Sequence, residues 1–310
     1  MALWRNRLAL VKTEGTYGTS SSPAATDALL FTELDVEPLS MELIERETIQ
    51  AYMGNRPSIV GQRSTPVKAT VEMAGSGTAG TAPRWGPLLM ACGLSETIVA
   101  STSVTYAPVS SSHSSYTMDY YADNGSRQAI AGIRGTAEFS LSTGEVPTIA
   151  FDQMGIYAAP GALSRPTETY SNQAAPVAVN SDNTTSVSVH GFSACMSQFS
   201  LSLGVEMVFE QKAGCTKQVR LTNRKPSGSL TIELPAFATK DFISTASAQT
   251  TGAISWVHSG GAGNIITMTL GQVAFDSPTL EDGDSVTHIT LPFRPLPTSA
   301  GNNEISLVLT

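Results

Sequence analysis

The sequence predicts a mainly β protein made of two tandem β-sandwich or barrel modules, each with one short helix. Three observations support this fold class. Apolar and polar residues alternate over many short segments, and one stretch of the first half recurs in the second. Only 14% of the 310 residues are charged, while glycine occurs 26 times. Period-two alternation is typical of half-buried strands, and many turn residues favour short strands over a helical bundle.

The recurring stretch covers residues 54–74 and, 161 positions later without a gap, residues 215–235. Each copy contains an apolar segment, a basic polar segment with proline, and then an alternating segment. This pattern predicts strand, turn and strand, with the turns at residues 63–66 and 224–228. A long self-similar segment of this kind indicates that one structural unit is used twice.

The rest of the first half predicts an arm, several strands and one helix. Residues 1–28 are rich in glycine, serine and threonine, which predicts an extended arm that is ordered only against another surface. A short helix is expected within residues 83–93, because Pro87 suits its first turn and Gly93 the position after its end. The remaining segments predict strands at 30–38, 41–53, 116–121, 127–141 and 146–151, with a hairpin turn at 123–125 and an acidic turn at 143–145.

The second half repeats this order of elements. Thr239 is expected to cap a helix over residues 239–246, and a Gly-x-x-x-Phe strand ending occurs in both halves, at 135–139 and 271–275. The other predicted elements are strands at 199–209, 254–257, 265–275, 286–293 and 305–309, with turns at 260–263 and 282–284. Duplication is favoured, and two unrelated β halves that share turn chemistry are the alternative.

These elements predict four regions along the chain. They are an extended N-terminal arm at 1–28, a first β module at 29–158, a linker at 159–185 and a second β module at 186–310. The linker is rich in proline, alanine, serine and asparagine and has few periodic apolar positions.

Composition and charge narrow the functional classes. The net charge of −8 disfavours a protein that reads nucleic acid, because such proteins are normally basic. The three cysteines, Cys92, Cys195 and Cys215, form no metal-type pair, and we expect buried free thiols in a reducing compartment. The apolar run at residues 8–11 is too short for a signal peptide, and no run approaches the length of a membrane span. We therefore expect a cytoplasmic product without membrane association.

The sequence contains no constellation of residues that predicts an enzyme. The four histidines, His113, His190, His258 and His288, are scattered and lack ligand spacing to carboxylates or thiols. Residues 281–284 resemble a fragment of a calcium loop but lack its alternating ligands and distal glutamate, so a polar β-turn is favoured. Residues 260–263 lack the helix with lysine that follows a phosphate loop. We predict no catalytic residues, no cofactor and no metal.

The first module resembles the major tail tube proteins of long-tailed, siphovirus-type bacteriophages. The resemblance rests on loose motifs at residues 12–19, 55–58, 85–94 and 130–139, and on 223–230 with 240–242 in the second module. It implies a β-sandwich flanked by one helix, self-assembly into rings with a continuous inner barrel, and rings stacked into a tube. The implied location is the virion tail, with DNA passing through the lumen during ejection without specific binding. The implied partners are other tail proteins, such as the tape measure, tail terminator and distal tail proteins.

Two further classes of function remain as alternatives. A virion decoration, fibre or carbohydrate-binding β-sandwich protein should expose aromatic residues near polar ones, and Tyr116, Tyr120 and Tyr121 are the candidates. Alternation places Tyr116 and Tyr120 on one strand face, where core packing is the simpler explanation. An enzyme with an unrecognised site is the third possibility.

Site predictions follow from the tail tube resemblance together with the charge pattern. The lumen is expected to be acidic, since lysine and arginine attract phosphate, and Glu138 is the candidate wall residue. Candidates for contacts between subunits or rings are Trp4, Leu8, Tyr17, Arg56, Arg63, Arg220, Arg224 and Lys225. If a ring needs six modules and each chain carries two, three chains close a pseudo-six-fold ring. The alternative is six chains, with only one half of each at the pore.

Overall fold

The computed structural model describes residues 3–310, which form twenty-one strands, two short α-helices and one turn of 3-10 helix at Ala25–Asp27. The strands of the first half are β1 (Leu8–Thr13), β2 (Glu33–Val36), β3 (Ser40–Ile44), β4 (Ile59–Glu72), β5 (Leu94–Val99), β6 (Ser103–Pro108), β7 (Tyr116–Ala122), β8 (Ser126–Ser142), β9 (Thr148–Ile156) and β10 (Gly161–Ala162). The strands of the second half are β11 (Thr184–Val189), β12 (Phe192–Ser193), β13 (Met196–Ser202), β14 (Val205–Glu210), β15 (Gln218–Arg224), β16 (Ser227–Glu233), β17 (Gly252–Ser259), β18 (Ile265–Phe275), β19 (Thr279–Gly283), β20 (Val286–Pro295) and β21 (Ser306–Leu309). The helices are α1 (Gly86–Met90) and α2 (Phe242–Ser247).

Eight strands form one continuous antiparallel sheet across both halves, in the order β2, β4, β9, β8, β13, β16, β20 and β19. We call it the long sheet. Its strands alternate between buried apolar and exposed polar residues, so one face lies on the core and the other faces solvent.

Strands of a second layer cover the apolar face of the long sheet. In the first half, β1 pairs with β7 and β7 with the beginning of β8. In the second half, β17 joins β11 to β18, and β21 joins β18 to β6. Phe199 of the long sheet contacts Trp256 of the covering layer edge to face, with ring centroids 5.6 Å apart. The prediction of a mainly β sandwich with two short helices is confirmed.

The two halves repeat the same strand pairings in the same register. In the first half Ile149 lies opposite both Val71 and Phe139. In the second half Ile289 lies opposite both Ile232 and Leu280. We call residues at equivalent places in these ladders counterparts.

The hairpins of the two halves also match, including an irregularity. The β3–β4 pairing shifts register between Met41 and Leu43, and the β14–β15 pairing shifts between Glu206 and Met207. In both hairpins the extra residues lie on the second strand, at Gly61 and at its counterpart Thr222. An extra residue at the same place in two ladders is a specific structural feature that supports the duplication.

The predicted turn at residues 63–66 is wrong, because β4 runs unbroken from Ile59 to Glu72. Proline is tolerated at Pro66 because the pairing of β4 changes there from β3 to β2, so a missing N–H costs little. In the second half the chain does break, between β15 and β16. These two strands do not form a hairpin with each other, since β15 pairs with β14 and β16 with β13 and β20.

Three other expectations need correction. The two Gly-x-x-x-Phe motifs are not counterparts. Phe139 lies opposite Ile149, whose counterpart is Ile289. Phe275 instead lies opposite Phe293, four residues further along β20. Asp241 rather than Thr239 caps α2, its carboxylate accepting from the Ser244 amide at 2.9 Å. The β5–β6 hairpin was missed within the long segment that follows α1.

The predicted arm and linker are both held against the rest of the same chain. Residues 8–13 form β1, and Leu8, Leu10 and Val11 are buried within the same chain. The linker has little regular structure but is held down, for example by the hydrogen bonds from Ala174 N to Gly75 O and from Gly144 N to Val179 O. Composition does not reveal such contacts, because they join residues far apart in sequence.

The cysteines are only partly as expected. Cys92 is buried under α1, whereas Cys195 and Cys215 are exposed, so the expectation of buried thiols is wrong for these two. Burial raises the pKa of the Cys92 thiol to about 12, which keeps it protonated and unreactive.

Candidate functional site: the polar face and the joint between the halves

The solvent face of the long sheet is strongly acidic. It carries seven carboxylates on the strands, at Glu33, Asp35, Glu72, Glu138, Asp152, Glu233 and Glu281, and two cations, at Lys68 and Arg294. All of these side chains are exposed. Both halves contribute to the face, because each supplies four of the eight strands.

The two cations on this face lie beside acids. Lys68 lies between Asp35 and Asp152 in the strand ladders, and Arg294 pairs with Asp276 at 2.8 Å. A groove of about 840 Å³ runs over β2, β4, β9 and β8, and Trp4, Arg5 and Arg7 line its rim. The predicted wall residue Glu138 lies in this groove. Counted with Arg5 and Arg7 of the rim, the face has seven carboxylates against four cations, and this excess of negative charge repels phosphate.

The long sheet crosses from one half to the other where β13 pairs with β8, and we call this place the joint. Leu201 lies opposite Phe139 and Ser200 opposite Ser140. The hydrogen bond from Leu203 N to Ala137 O and the one from Thr143 N to Ser197 O bracket this ladder. Glu138, opposite Ser202, is the one charged residue of this ladder, and its side chain is exposed. The joint is therefore closed by backbone hydrogen bonds and apolar packing.

The β14–β15 hairpin of the second half reinforces the joint by packing on the first half. Arg224, at the end of β15, donates to Glu304 from Nε at 2.8 Å and from Nη2 at 2.5 Å, and from Nη1 to the Val109 carbonyl at 3.0 Å. Both charged side chains are largely buried, with 14% and 5% of their surface exposed. One guanidinium therefore ties the hairpin to the C-terminal segment and to the first half.

A second cation reinforces the joint from the other side. Arg134, on β8, donates to Val219 O at 3.1 Å and to Ser114 O at 3.0 Å, and its guanidinium lies 4.3 Å from the Tyr17 ring centre. The Tyr17 hydroxyl accepts from Val219 N at 2.5 Å and donates to Gly132 O at 3.1 Å. Burial raises the pKa of Tyr17 and lowers that of Arg134.

The segment that contains Tyr17 is held in place by Glu14. The Glu14 carboxylate accepts four hydrogen bonds, from Gly132 N at 2.7 Å, Gly18 N at 2.8 Å, Ser115 Oγ at 2.6 Å and Thr117 Oγ1 at 2.9 Å. Gly132 has φ +65°, and a Cβ there would lie 2.9 Å from the Tyr17 hydroxyl, so a side chain would displace the tyrosine. The segment from Glu14 to Gly18 is therefore fixed within the isolated chain, where it contacts both β8 and β15.

The predicted contact residues fall in different environments. Leu8 is buried against Tyr121 and is not available at the surface, which corrects that prediction. Tyr17 is part of the joint and Arg224 is in a buried ion pair. Trp4 is exposed and stacks with Arg7, whose guanidinium lies 4.0 Å from the ring centre.

The remaining predicted cations lie at the surface, Arg56 half-buried and the other three exposed. Arg220 pairs with Glu210 at 3.1 Å and Lys225 with Glu206 at 3.2 Å, so the basic cluster of the hairpin is balanced by acids of β14. Arg63 lies 5.9 Å from the Tyr157 ring centre, and Arg56 donates to the Thr48 carbonyl in the loop between β3 and β4. As contact residues between subunits or rings, all of these cations and Trp4 remain predictions.

Three important residues were missed by the sequence reasoning, namely Glu14, Arg134 and Glu304. Glu14 and Arg134 lie inside motifs that carried the family resemblance, which was the available signal. Glu304 has no local signal, because its partner Arg224 is far away in sequence.

Other kinds of site find no support in the described part of the chain. Among residues 3–310 no group of three or more histidine, cysteine or acidic residues could hold a metal ion. No helix within the same residues has the length and apolar character needed to cross a membrane. Tyr116 and Tyr121 are buried, so the aromatic surface expected for carbohydrate binding is not formed by them.

The sequence was compared with known proteins and with models of protein families. No curated protein sequence matches the chain at a significant level. A family model described as phage tail tube protein matches residues 4–295, nearly the whole length. The β-sandwich with its continuous sheet and acidic polar face is consistent with the tube wall that this description implies. The chain belongs to the phage tail tube protein family.

Proposed function

We propose that this protein builds the phage tail tube as stacked rings in which both halves of every chain line the lumen. A structural role in the virion tail follows from the family. The observation that carries the finer proposal is the long sheet, in which each half contributes four strands to one polar face. A face of this kind, continued from chain to chain, forms the wall of a barrel.

The matching registers support two tail-tube modules in each chain, at 29–158 and 186–310. Their joint is then an internal copy of the contact between neighbouring modules. Since a ring of this family is expected to hold six modules, three chains suffice and the ring has approximate six-fold symmetry. The runner-up, six chains with one half outside the pore, would leave half of the acidic face of each long sheet away from the lumen.

The charge of the polar face supports a lumen through which DNA slides without sticking. Backbone phosphates bind lysine and arginine in a sequence-independent way, and this face has more carboxylates than cations even when Arg5 and Arg7 are counted. Glu138 and Asp152 lie near its middle, on β8 and β9. No enzymatic step is proposed.

The other tail proteins are expected to act at the ends and inside the tube. The proposal includes a tape measure protein in the lumen during assembly, and a distal tail protein and a terminator at the two ends. Assembly takes place in the host cytoplasm. These partners follow from the family resemblance rather than from particular residues.

The decisive experiment is electron microscopy of the assembled protein, with end-on views averaged without imposed symmetry. Three full-length chains around a lumen, seen as six alternating units, are the expected result. Six equivalent full-length chains would contradict the three-chain ring, and single globules under all conditions would contradict assembly into rings.

A further inference from the structure

The long sheet ends in β2 on one side and β19 on the other. Within the described chain each of these strands has one edge without a partner strand. Glu37 N donates to Pro66 O, and in an antiparallel ladder alternate residues bond to the same neighbour. Leu34 and Val36 therefore point their backbone groups away from β4. The Arg7 guanidinium reaches the Leu34 carbonyl there, at 2.7 Å.

The internal joint shows which strands meet when two modules join. The counterpart of β13 is β2. Phe199 and Leu201 of β13 lie opposite Leu230 and Gly228. The counterparts of Leu230 and Gly228 are Ala69 and Val67, and these lie opposite Leu34 and Val36 of β2. The counterpart of the end of β8 is β19, since Phe139 and Leu280 lie opposite Ile149 and Ile289. The joint β8·β13 thus corresponds to a contact between β19 of one chain and β2 of another.

We infer that β19 of each chain pairs antiparallel with β2 of a second copy, with Val36 opposite Leu280 and Asp35 opposite Glu281. These pairs are the counterparts of Leu201 opposite Phe139 and Ser200 opposite Ser140 in the joint. The inference rests on the proposed ring and adds its register. An open sheet edge requires such cover, because its free N–H and C=O groups pair readily with another strand.

The β3–β4 hairpin supplies the second part of this contact. Its counterpart, β14–β15, packs on the first half, where Leu221 lies against the core and its Cδ1 is 3.5 Å from the place of a Cβ at Gly93. Val60 is the counterpart of Leu221, and Leu43 that of Met207. Leu43 and Val60 are 52% and 41% exposed in the isolated chain. In the ring they lie against α2 and β18 of the second copy.

The opposite side of the same hairpin provides an internal comparison. Ile44 and Ile59 are 51% and 52% exposed, as much as Leu43 and Val60. They are the counterparts of Val208 and Arg220, which stay exposed in the β14–β15 hairpin. Ring closure therefore buries Leu43 and Val60 and leaves Ile44 and Ile59 outside the ring seam.

The seam between chains differs from the joint in charge. Ser200 and Ser140 of the joint are replaced by Asp35 and Glu281, two carboxylates directly opposite each other on the lumen face. Like charges in this position are unfavourable. The Arg7 side chain must also leave the edge of β2 before β19 can pair there. The seam is consequently weaker than the joint and more sensitive to salt.

Cysteine cross-linking tests the register directly. The variant combines Asp35→Cys and Glu281→Cys in a background with Cys195→Ser and Cys215→Ser, which removes the exposed thiols. In the joint Leu203 N donates to Ala137 O, so Ser200 and Ser140 form a non-hydrogen-bonded pair. Their counterparts Asp35 and Glu281 would do the same, with Cα atoms about 4.5 Å apart, within disulfide range. The matched control pairs Asp35→Cys with Thr279→Cys, on the same face but about 7–8 Å away. Assembled rings are oxidised mildly and the products are separated under denaturing conditions.

Each outcome of this experiment is informative. Covalent products that end at three chains with the Glu281 variant, and little product with the control, are expected. Rings that form normally but cross-link equally in the control, or in neither variant, would overturn the register and leave the proposed tube intact. Failure of the wild-type protein to form rings would instead count against the proposed function.

A second measurement tests the hairpin. Val60→Asp is expected to abolish closed rings, whereas the neighbouring variant Ile59→Asp still forms them, as seen by electron microscopy. Both residues are about half exposed, so the subunit itself should stay folded, and circular dichroism of each variant is the check. Rings formed equally well by both variants would contradict the docking of this face.

Discussion

Removal of the buried carboxylate of Glu304 should weaken the contact between the β14–β15 hairpin and the C-terminal segment. The Glu304→Gln change leaves the Arg224 guanidinium largely buried while its anionic partner is lost. Breaking a buried pair costs about 3–5 kcal/mol, but Arg224 retains Val109 O as an acceptor and the glutamine oxygen can still accept. We therefore expect the free energy of unfolding to fall by about 2–3 kcal/mol. Urea unfolding of the isolated subunit measures this difference.

The adjacent residue provides a matched control. Lys225 pairs with Glu206 at 3.2 Å, but the two side chains are 73% and 54% exposed. Glu206→Gln should change the free energy of unfolding by less than about 1 kcal/mol, because water screens an exposed pair. An equal cost for Glu304→Gln and Glu206→Gln would refute the argument that burial of the Arg224 pair holds the β14–β15 hairpin in place.

Three further predictions concern the lumen, the free edge and pH. Lysine in place of Glu138 and Asp152 should make assembled tubes retain short double-stranded DNA at low salt, measured by co-sedimentation, whereas wild-type tubes should not. Arg7→Ala should shorten the lag before rings form, followed by light scattering, because it frees the Leu34 carbonyl; an unchanged lag would contradict the role of Arg7. Burial lowers the pKa of His258 below its ordinary value of 6.5, so its protonation favours the unfolded chain. Stability should be full above about pH 6.5 and fall as pH drops below it, and His258→Asn should flatten this part of the pH profile of unfolding.

The strands with clear alternation were predicted well from the sequence. The β7–β8 hairpin around Gly125 and the β17–β18 hairpin around residues 260–263 formed as expected, because the turn residues and the neighbouring strands agree locally. The two short helices also formed, within one turn of their predicted positions. The turn at residues 63–66 failed because proline and polar residues are equally compatible with a strand that changes partners there.

The candidate contact residues were harder to assign from the sequence. Exposed cations on a strand look alike in the sequence, yet Arg224 is in a buried pair with Glu304 and Lys225 is in an exposed pair with Glu206. Leu8 sits in a segment whose composition indicates an arm, but pairing with β7 buries it. The burial of Arg224 and that of Leu8 each depend on a partner more than seventy positions away in the chain.

The sequence by itself determined the properties that depend on neighbouring residues. These are the alternation that separates a core face from a polar face, the hairpin turns around Gly125 and residues 260–263, the approximate positions of the two helices and the repeat of residues 54–74. Tertiary structure alone decided which strands pair across the joint, that β2 and β19 are left with open edges, and that Asp35, Asp152 and Glu138 share one acidic face. The physical reason is that period-two alternation specifies only which side of a strand is buried. The choice of partner strand is a competition among distant contacts, settled by packing and backbone hydrogen bonding over the whole chain.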